Sequence, residues 1–111
     1  MEYMLFIATD TEPGAPVEAE NEIRDWLDEG ERRGIRIRGD ALRPIDDATT
    51  VRVRNGEVLV SDGPFTESKE WIAGYDLLEC ADLDQAIDYV SRHPMARRGR
   101  IEIRPVAPPL A

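Results

Sequence analysis

The sequence predicts one α+β domain of ferredoxin-like pattern, βαββαβ with a β-hairpin inserted in its middle. Two stretches, 2–8 and 71–80, are apolar on both alternating faces, which suits central strands of a sheet rather than its edges. Two others carry apolar residues at helical spacing. Between them Asn55-Gly56 joins a pair of alternating runs, as a two-residue hairpin turn requires. At 111 residues the chain has room for one core and no second domain.

The first strand, 2–8, sets Tyr3, Leu5 and Ile7 on one side and Met4, Phe6 and Ala8 on the other. A polar loop over 9–16 holds Pro13, Gly14 and Pro16. A helix is expected over 17–33, burying Ile23, Trp26, Leu27 and Gly30, with Gly34 closing its C-terminus. Glu20 with Arg24, and Asp28 with Arg32, stand four apart in the favourable order, while Glu18, Glu22, Asp25 and Glu29 form an unpaired acidic stripe. Residues 35–42 alternate Ile-Arg-Ile-Arg and read as a half-buried strand that Arg43-Pro44 ends.

The hairpin, over 49–60, places Val51 opposite Val60, Val53 opposite Val58 and Arg54 opposite Glu57. Extended by one pair, it sets Asp62 opposite Thr49, so the turn that follows leaves from the end away from Asn55-Gly56. The strand over 71–80 contains Asp76, and burial there raises a carboxyl pKa unless donors meet it. Asp82-Leu83-Asp84-Gln85 has the form of a capping box, opening a second helix with Leu83, Ala86, Ile87 and Val90 as its buried face and Pro94 as its stop. Residues 101–104 alternate as the last strand. Pro105, Pro108 and Pro109 mark a loosely ordered tail.

Net charge is −9, and its origin is local. Ten acidic side chains stand against Arg24 alone in residues 1–31, and the remainder balances. Nucleic-acid backbones need a basic face that displaces counterions, so direct nucleic-acid binding is excluded. The apolar run at 3–8 lacks a basic leader and is too short for a signal core or a membrane span, which predicts a protein that is neither membrane-bound nor exported. A single cysteine, Cys80, allows no intrachain disulfide and no cysteine-cluster metal site, and fits a reducing cytoplasm. Nothing in the residue spacing calls for a metal or a cofactor.

The stretch from Ser61 to Glu70, Ser-Asp-Gly-Pro-Phe-Thr-Glu-Ser-Lys-Glu, is a rigid turn carrying ionisable groups. Gly63 precedes a proline and is biased to extended backbone, and Pro64 fixes its own φ and lacks an amide donor. Asp62 either fixes this turn by bonding local amides or serves as a base or hydrogen-bond acceptor for a ligand. Lys69, the one lysine of the chain, stands between Ser68 and Glu70. Asp62 is therefore the candidate catalytic residue, with Gly63, Pro64, Phe65, Lys69, Glu70 and His93 as candidate ligand-binding residues. His93, the one histidine, ends the second helix, where a cation favoured by the helix dipole or a capping side chain belongs. Arg92, Arg97, Arg98 and Arg100 either hold an anion or form a solvated loop. Two helices cover one sheet face and leave the other bare, and a second copy of the chain is the economical cover.

Asp62-Gly63-Pro64-Phe65 and the following Thr66-Glu67-Ser68-Lys69-Glu70 resemble the DGPF-type proteins of the YCII-related family. The likeness extends to Tyr3-Met4-Leu5, Thr49-Thr50-Val51-Arg52, Gly74-Tyr75 and Glu102-Ile103-Arg104-Pro105, and so to essentially the whole chain. The resemblance implies a dimeric α+β barrel, two sheets packed face to face with clefts near the interface that take a small-molecule ligand. It also implies an alternative, noncatalytic role, because DGPF-type proteins are often encoded beside extracytoplasmic-function sigma factors and the acidic first helix suits a basic partner. Some YCII-like proteins pair an aspartate with a histidine from the first helix. Residues 17–33 hold no histidine, so that pair does not carry over.

Overall fold

A computed structural model describes residues 1–9, 14, 19–63 and 72–109, with Ala19 and Glu20 described by backbone alone. The predicted order of elements is present. β1 (Glu2–Ala8), β2 (Arg36–Ala41), β5 (Ile72–Glu79) and β6 (Arg100–Pro105) form one antiparallel sheet in the order β2-β5-β1-β6. β3 (Thr49–Arg54) and β4 (Glu57–Asp62) form a separate two-stranded hairpin. The helices are α1 (Ala19–Arg32), α2 (Leu83–Val90) and a short α3 (Pro94–Arg98). This is the ferredoxin-like α+β arrangement with its inserted hairpin.

Alternation along the two central strands decides which side the helices cover. Tyr3, Leu5 and Leu78 point to the helices and are at most 2% exposed, in one core with Trp26, Ile35, Ala86, Tyr89 and Val90. Met4, Phe6, Tyr75 and Leu77 take the opposite face, where Met4 stands opposite Leu77 and Phe6 opposite Tyr75. They are only half-buried.

Local signals place the helix ends. Gly34 has φ +65°, and its amide bonds the Glu31 carbonyl while that of Ile35 bonds Gly30, so the last turn of α1 closes on a left-handed glycine. Asp82 caps α2 by accepting from the Gln85 amide at 2.8 Å, and the Gln85 side chain reaches back to the Ala81 amide at 2.7 Å. The buried face of α2 differs from expectation. Ala86, Tyr89 and Val90 are buried, whereas Leu83 and Ile87 are nearly half exposed. Tyr89 takes the inner position because its ring stacks on Trp26 at 4.2 Å and its hydroxyl finds a carbonyl there. Pro94 stops α2 as expected but also begins α3, since a proline at the first helical position lacks only an amide the helix does not use.

Two ion-pair expectations also change. Asp28 and Arg32 form no ion pair, and Glu29 instead pairs with Arg33 at 2.7 Å and with Arg92. Glu22 pairs with Arg97, so the acidic stripe is bound in part by arginines from around α3. These arginines tie α1 to the α2–α3 segment. In β2 the pairing with β5 slips between Arg36 and Arg38, which turns Arg36 toward the helices and leaves Ile37 48% exposed.

Gly30 marks the closest approach of α1 to its neighbours. A Cβ there would lie 2.0 Å from the Tyr89 hydroxyl and 2.9 Å from Arg36 Cβ. Alanine in place of glycine within a helix ordinarily stabilises by about 1 kcal/mol. Gly30→Ala is expected to reverse that sign and destabilise by about 1–3 kcal/mol, because the collision is with buried groups. Urea unfolding of the two chains measures it.

Candidate functional site

Between sheet and helices lies a polar cluster that the sequence revealed only in part. Asp76, on β5 and 3% exposed, receives Arg36 Nε at 2.7 Å on Oδ1, and Arg36 Nη2 donates to the Gly39 carbonyl at 2.8 Å. Asp76 Oδ1 occupies the space where a Cβ of Gly39 would lie, 2.0 Å away, so glycine is needed in β2 at that point. Burial raises the Asp76 pKa, and the Arg36 hydrogen bond and charge oppose that rise. Tyr89 donates to the Trp26 carbonyl at 2.7 Å, and Trp26 Nε1 donates to the Tyr89 carbonyl at 2.8 Å. Burial pushes the Tyr89 hydroxyl pKa up, so it stays a neutral donor.

His93 completes this cluster. It is 3% exposed, its ring meets Trp26 edge-on at 4.4 Å, and its Nδ1 accepts from the Met95 amide at 2.9 Å as the N-cap of α3. The capping role is present, but at the opening of a following helix rather than the close of a preceding one. A cation is unfavourable at a helix N-terminus, and Nδ1 can accept only while unprotonated. Desolvation and the Arg36 charge hold its pKa down at about 4. His93 is thus a neutral, Nε2-protonated ring.

Asp62 stands apart from this cluster. It is the last residue of β4, exposed, and pairs with Thr49 in the expected register. Among the described residues its carboxylate makes no hydrogen bond or ion pair, and none joins it to His93. The backbone beside it is held firmly: the Gly63 amide donates to the Ala48 carbonyl at 2.7 Å, and Thr50 Oγ1 donates to the Gly63 carbonyl at 2.7 Å. Gly63 has φ +98° rather than an extended backbone. A following proline excludes helical ψ but does not choose the sign of φ for a residue without Cβ. Pro64, Phe65, Lys69 and Glu70 lie outside the described residues.

All four arginines of the basic segment are exposed, as a solvated loop requires, and Arg92 and Arg97 are also engaged by carboxylates. Arg92 holds Glu29 and Asp88, the latter at 2.9 Å, and Arg97 holds Glu22. Among the described residues no three metal-ligating side chains gather. Among the described residues the Asp62 carboxylate is unpaired, and the backbone beside it is hydrogen-bonded to Ala48 and Thr50. That carboxylate can accept a hydrogen bond or a proton.

Comparison with known proteins agrees with this fold. The family described as YCII-related domain matches residues 1–109. An uncharacterized protein, R00369, of Rhizobium meliloti (strain 1021) is 43% identical over 68 residues, which cover 60% of this chain and 55% of that protein. The matched stretch therefore spans little more than half of the relative.

Two outcomes follow from the buried cluster. Arg36→Met leaves Asp76 buried without its partner and is expected to cost about 3–5 kcal/mol in denaturant unfolding, while adding Asp76→Leu recovers most of that loss. For His93, the unfolded chain binds the proton more tightly between about 4 and 6.5. Stability is therefore full above pH 6.5 and falls as pH drops toward 4, by on the order of 3 kcal/mol. His93→Asn keeps a capping side chain but cannot titrate, so its stability profile over that window is expected to flatten relative to the native chain.

Proposed function

The chain belongs to the YCII-related domain family, and on that premise we propose that two copies pair through the uncovered faces of their sheets and bind a small polar or anionic molecule in a cleft at their junction. Asp62 accepts a hydrogen bond or a proton from that molecule. The observation that carries this reading is the Asp62 carboxylate, exposed and unengaged among the described residues, beside a backbone held by Ala48 and Thr50. Several carboxylates are held by arginines within the chain, Asp76 by Arg36, Glu29 by Arg92, Glu22 by Arg97 and Asp47 by Arg43, whereas Asp62 has no such partner among the described residues. A site needs a charge that is both placed and available.

Lys69, seven residues on in the same segment, supplies the positive charge an anionic ligand requires, as the sequence reading proposes. The bare sheet face supports pairing, since Met4, Phe6, Tyr75 and Leu77 form an apolar centre that no described helix covers. If a reaction occurs, it is proton transfer with Asp62 as base. No described helix is long and apolar enough to cross a membrane. The free Cys80 suits a reducing, cytoplasmic setting.

A thermal-shift panel of small carboxylates, phosphates, amino acids and sugars tests this reading. At least one compound is expected to raise the melting temperature of the native chain. Asp62→Asn is expected to abolish that shift while moving the ligand-free melting temperature by only about 1–2 °C, because the exposed carboxylate has no partner to lose among the described residues. A loss of several degrees without ligand makes Asp62 a structural residue and overturns the assignment.

A further inference from the structure

The hairpin is the part of the molecule that its own chain leaves unused. Among the described elements, and beyond stray contacts, β3 and β4 pack only on each other. Thr50 and Leu59 are half-buried, and every other residue from 49 to 62 is exposed. The pairs Val51–Val60 and Val53–Val58 place four valines on one face, each between 56% and 64% exposed. An isolated two-stranded hairpin is marginal in water, and a valine face left wet adds to its cost. The molecule is also extended, with a radius of gyration of 16.1 Å, against about 13 Å for a compact chain of this length.

We infer that the valine face of the hairpin packs against a second copy of this chain, so that the contact between two copies comprises both the bare sheet face and the arm. Asp62 shares that face, because the Thr49–Asp62 pair continues the rows of the valine pairs. The candidate site is then complete only when the second copy is present. The inference rests on the pairing proposed above and adds the surface that makes it stable.

Area and charge choose the occupant. Four strands of six to eight residues, about 4.8 Å apart and rising about 3.4 Å per residue, have a footprint of roughly 400 Å². A stable interface removes about 800 Å² per partner and seldom less than about 600 Å². The hairpin face adds roughly 200 Å² by the same geometry, which brings the contact into that range. A copy of this chain also carries −9, with the excess in residues 1–31. Contact has to form where that excess is absent. On the valine face of the hairpin Asp62 is the one charged residue of the paired strands, Arg52, Arg54 and Glu57 lying on the other face, and the bare sheet face is flanked by both signs, Arg38 and Asp40 along one edge and Glu102 and Arg104 along the other. Those two surfaces are the ones a like-charged copy can approach.

Matched substitutions on the two faces of the hairpin test the inference. Val58→Lys and Ser61→Lys each change the net charge from −9 to −8, and each replaces an exposed residue, so neither has a core contact to lose. Sedimentation equilibrium of the full chain is expected to show a dimer whose dissociation constant rises about 100-fold or more with Val58→Lys, since a lysine is then buried unpaired. Ser61→Lys, on the opposite face, is expected to leave it within about twofold. A native dimer that Val58→Lys dissociates no more than Ser61→Lys overturns the role of the arm and leaves the sheet pairing standing. A native chain that sediments as a single copy overturns both. Should Val58→Lys fail to fold, hydrogen exchange of the native chain decides: hairpin amides protected more strongly as the protein is concentrated support the inference, and concentration-independent exchange overturns it.

Discussion

Arg36 is the charge to which the buried half of this protein is fitted. Its guanidinium lies between the sheet and the helices, bonded to Asp76 on β5 and to the Gly39 carbonyl on its own strand. A pair so enclosed contributes little net stability, since its attraction is set against the loss of two hydration shells. Its effect is to fix what surrounds it. Gly39 must lack a side chain because Asp76 Oδ1 fills that space, and Gly30 must lack one because the Tyr89 hydroxyl and Arg36 Cβ fill the other. The same positive charge helps keep His93 neutral, which lets Nδ1 accept from Met95 and open α3. One slipped residue in the β2–β5 pairing brings Arg36 inward, and four elements take their positions around it.

The helix side of the sheet is thus closed by specific polar contacts, whereas no described helix covers the opposite side. Reciprocal bonds between Trp26 and Tyr89 join α1 to α2, and Glu22 and Glu29 clamp α1 to arginines on and beside α3. Two of the six carboxylates of α1, Glu22 and Glu29, are answered within the chain by these pairs. Apolar surface that no described residue covers remains on the bare sheet face and the hairpin arm, and in part on α2, where Leu83 and Ile87 are nearly half exposed.

What could be read from the residues followed periodicity and turn chemistry. Asn55-Gly56 fixed the hairpin register down to Asp62 opposite Thr49, and Gly34 and the Asp82 cap fixed two helix ends, because each signal acts over a few residues. The buried charge was half visible. Asp76 stood out in an apolar strand, but its partner was hidden in Ile-Arg-Ile-Arg, where strict alternation turns Arg36 to solvent and a slip turns it inward. Tyr89 was passed over because helical spacing alone fits Leu83 and Ile87 equally well, and only the stacked Trp26 decides between them. Long-range partners chose the face in both cases. The pre-proline position of Gly63 misled for a different reason, since its effect on ψ was taken to govern φ as well.

Asp76 and Asp62 show where chemistry can reside in such a fold. Asp76 has the raised pKa often associated with a catalytic carboxyl, yet it is 3% exposed and already bonded to Arg36, so a substrate would have to displace a buried ion pair to reach it. A perturbed pKa here reports packing. Asp62 has no protein partner among the described residues, and its neighbouring backbone is tied to Ala48 and Thr50, so a ligand meets a carboxylate already in position without breaking any contact. Accessibility joined to a fixed backbone is the stronger criterion of the two. By that criterion the end of the hairpin, rather than the charge beneath the helices, is the place where we propose that a ligand binds.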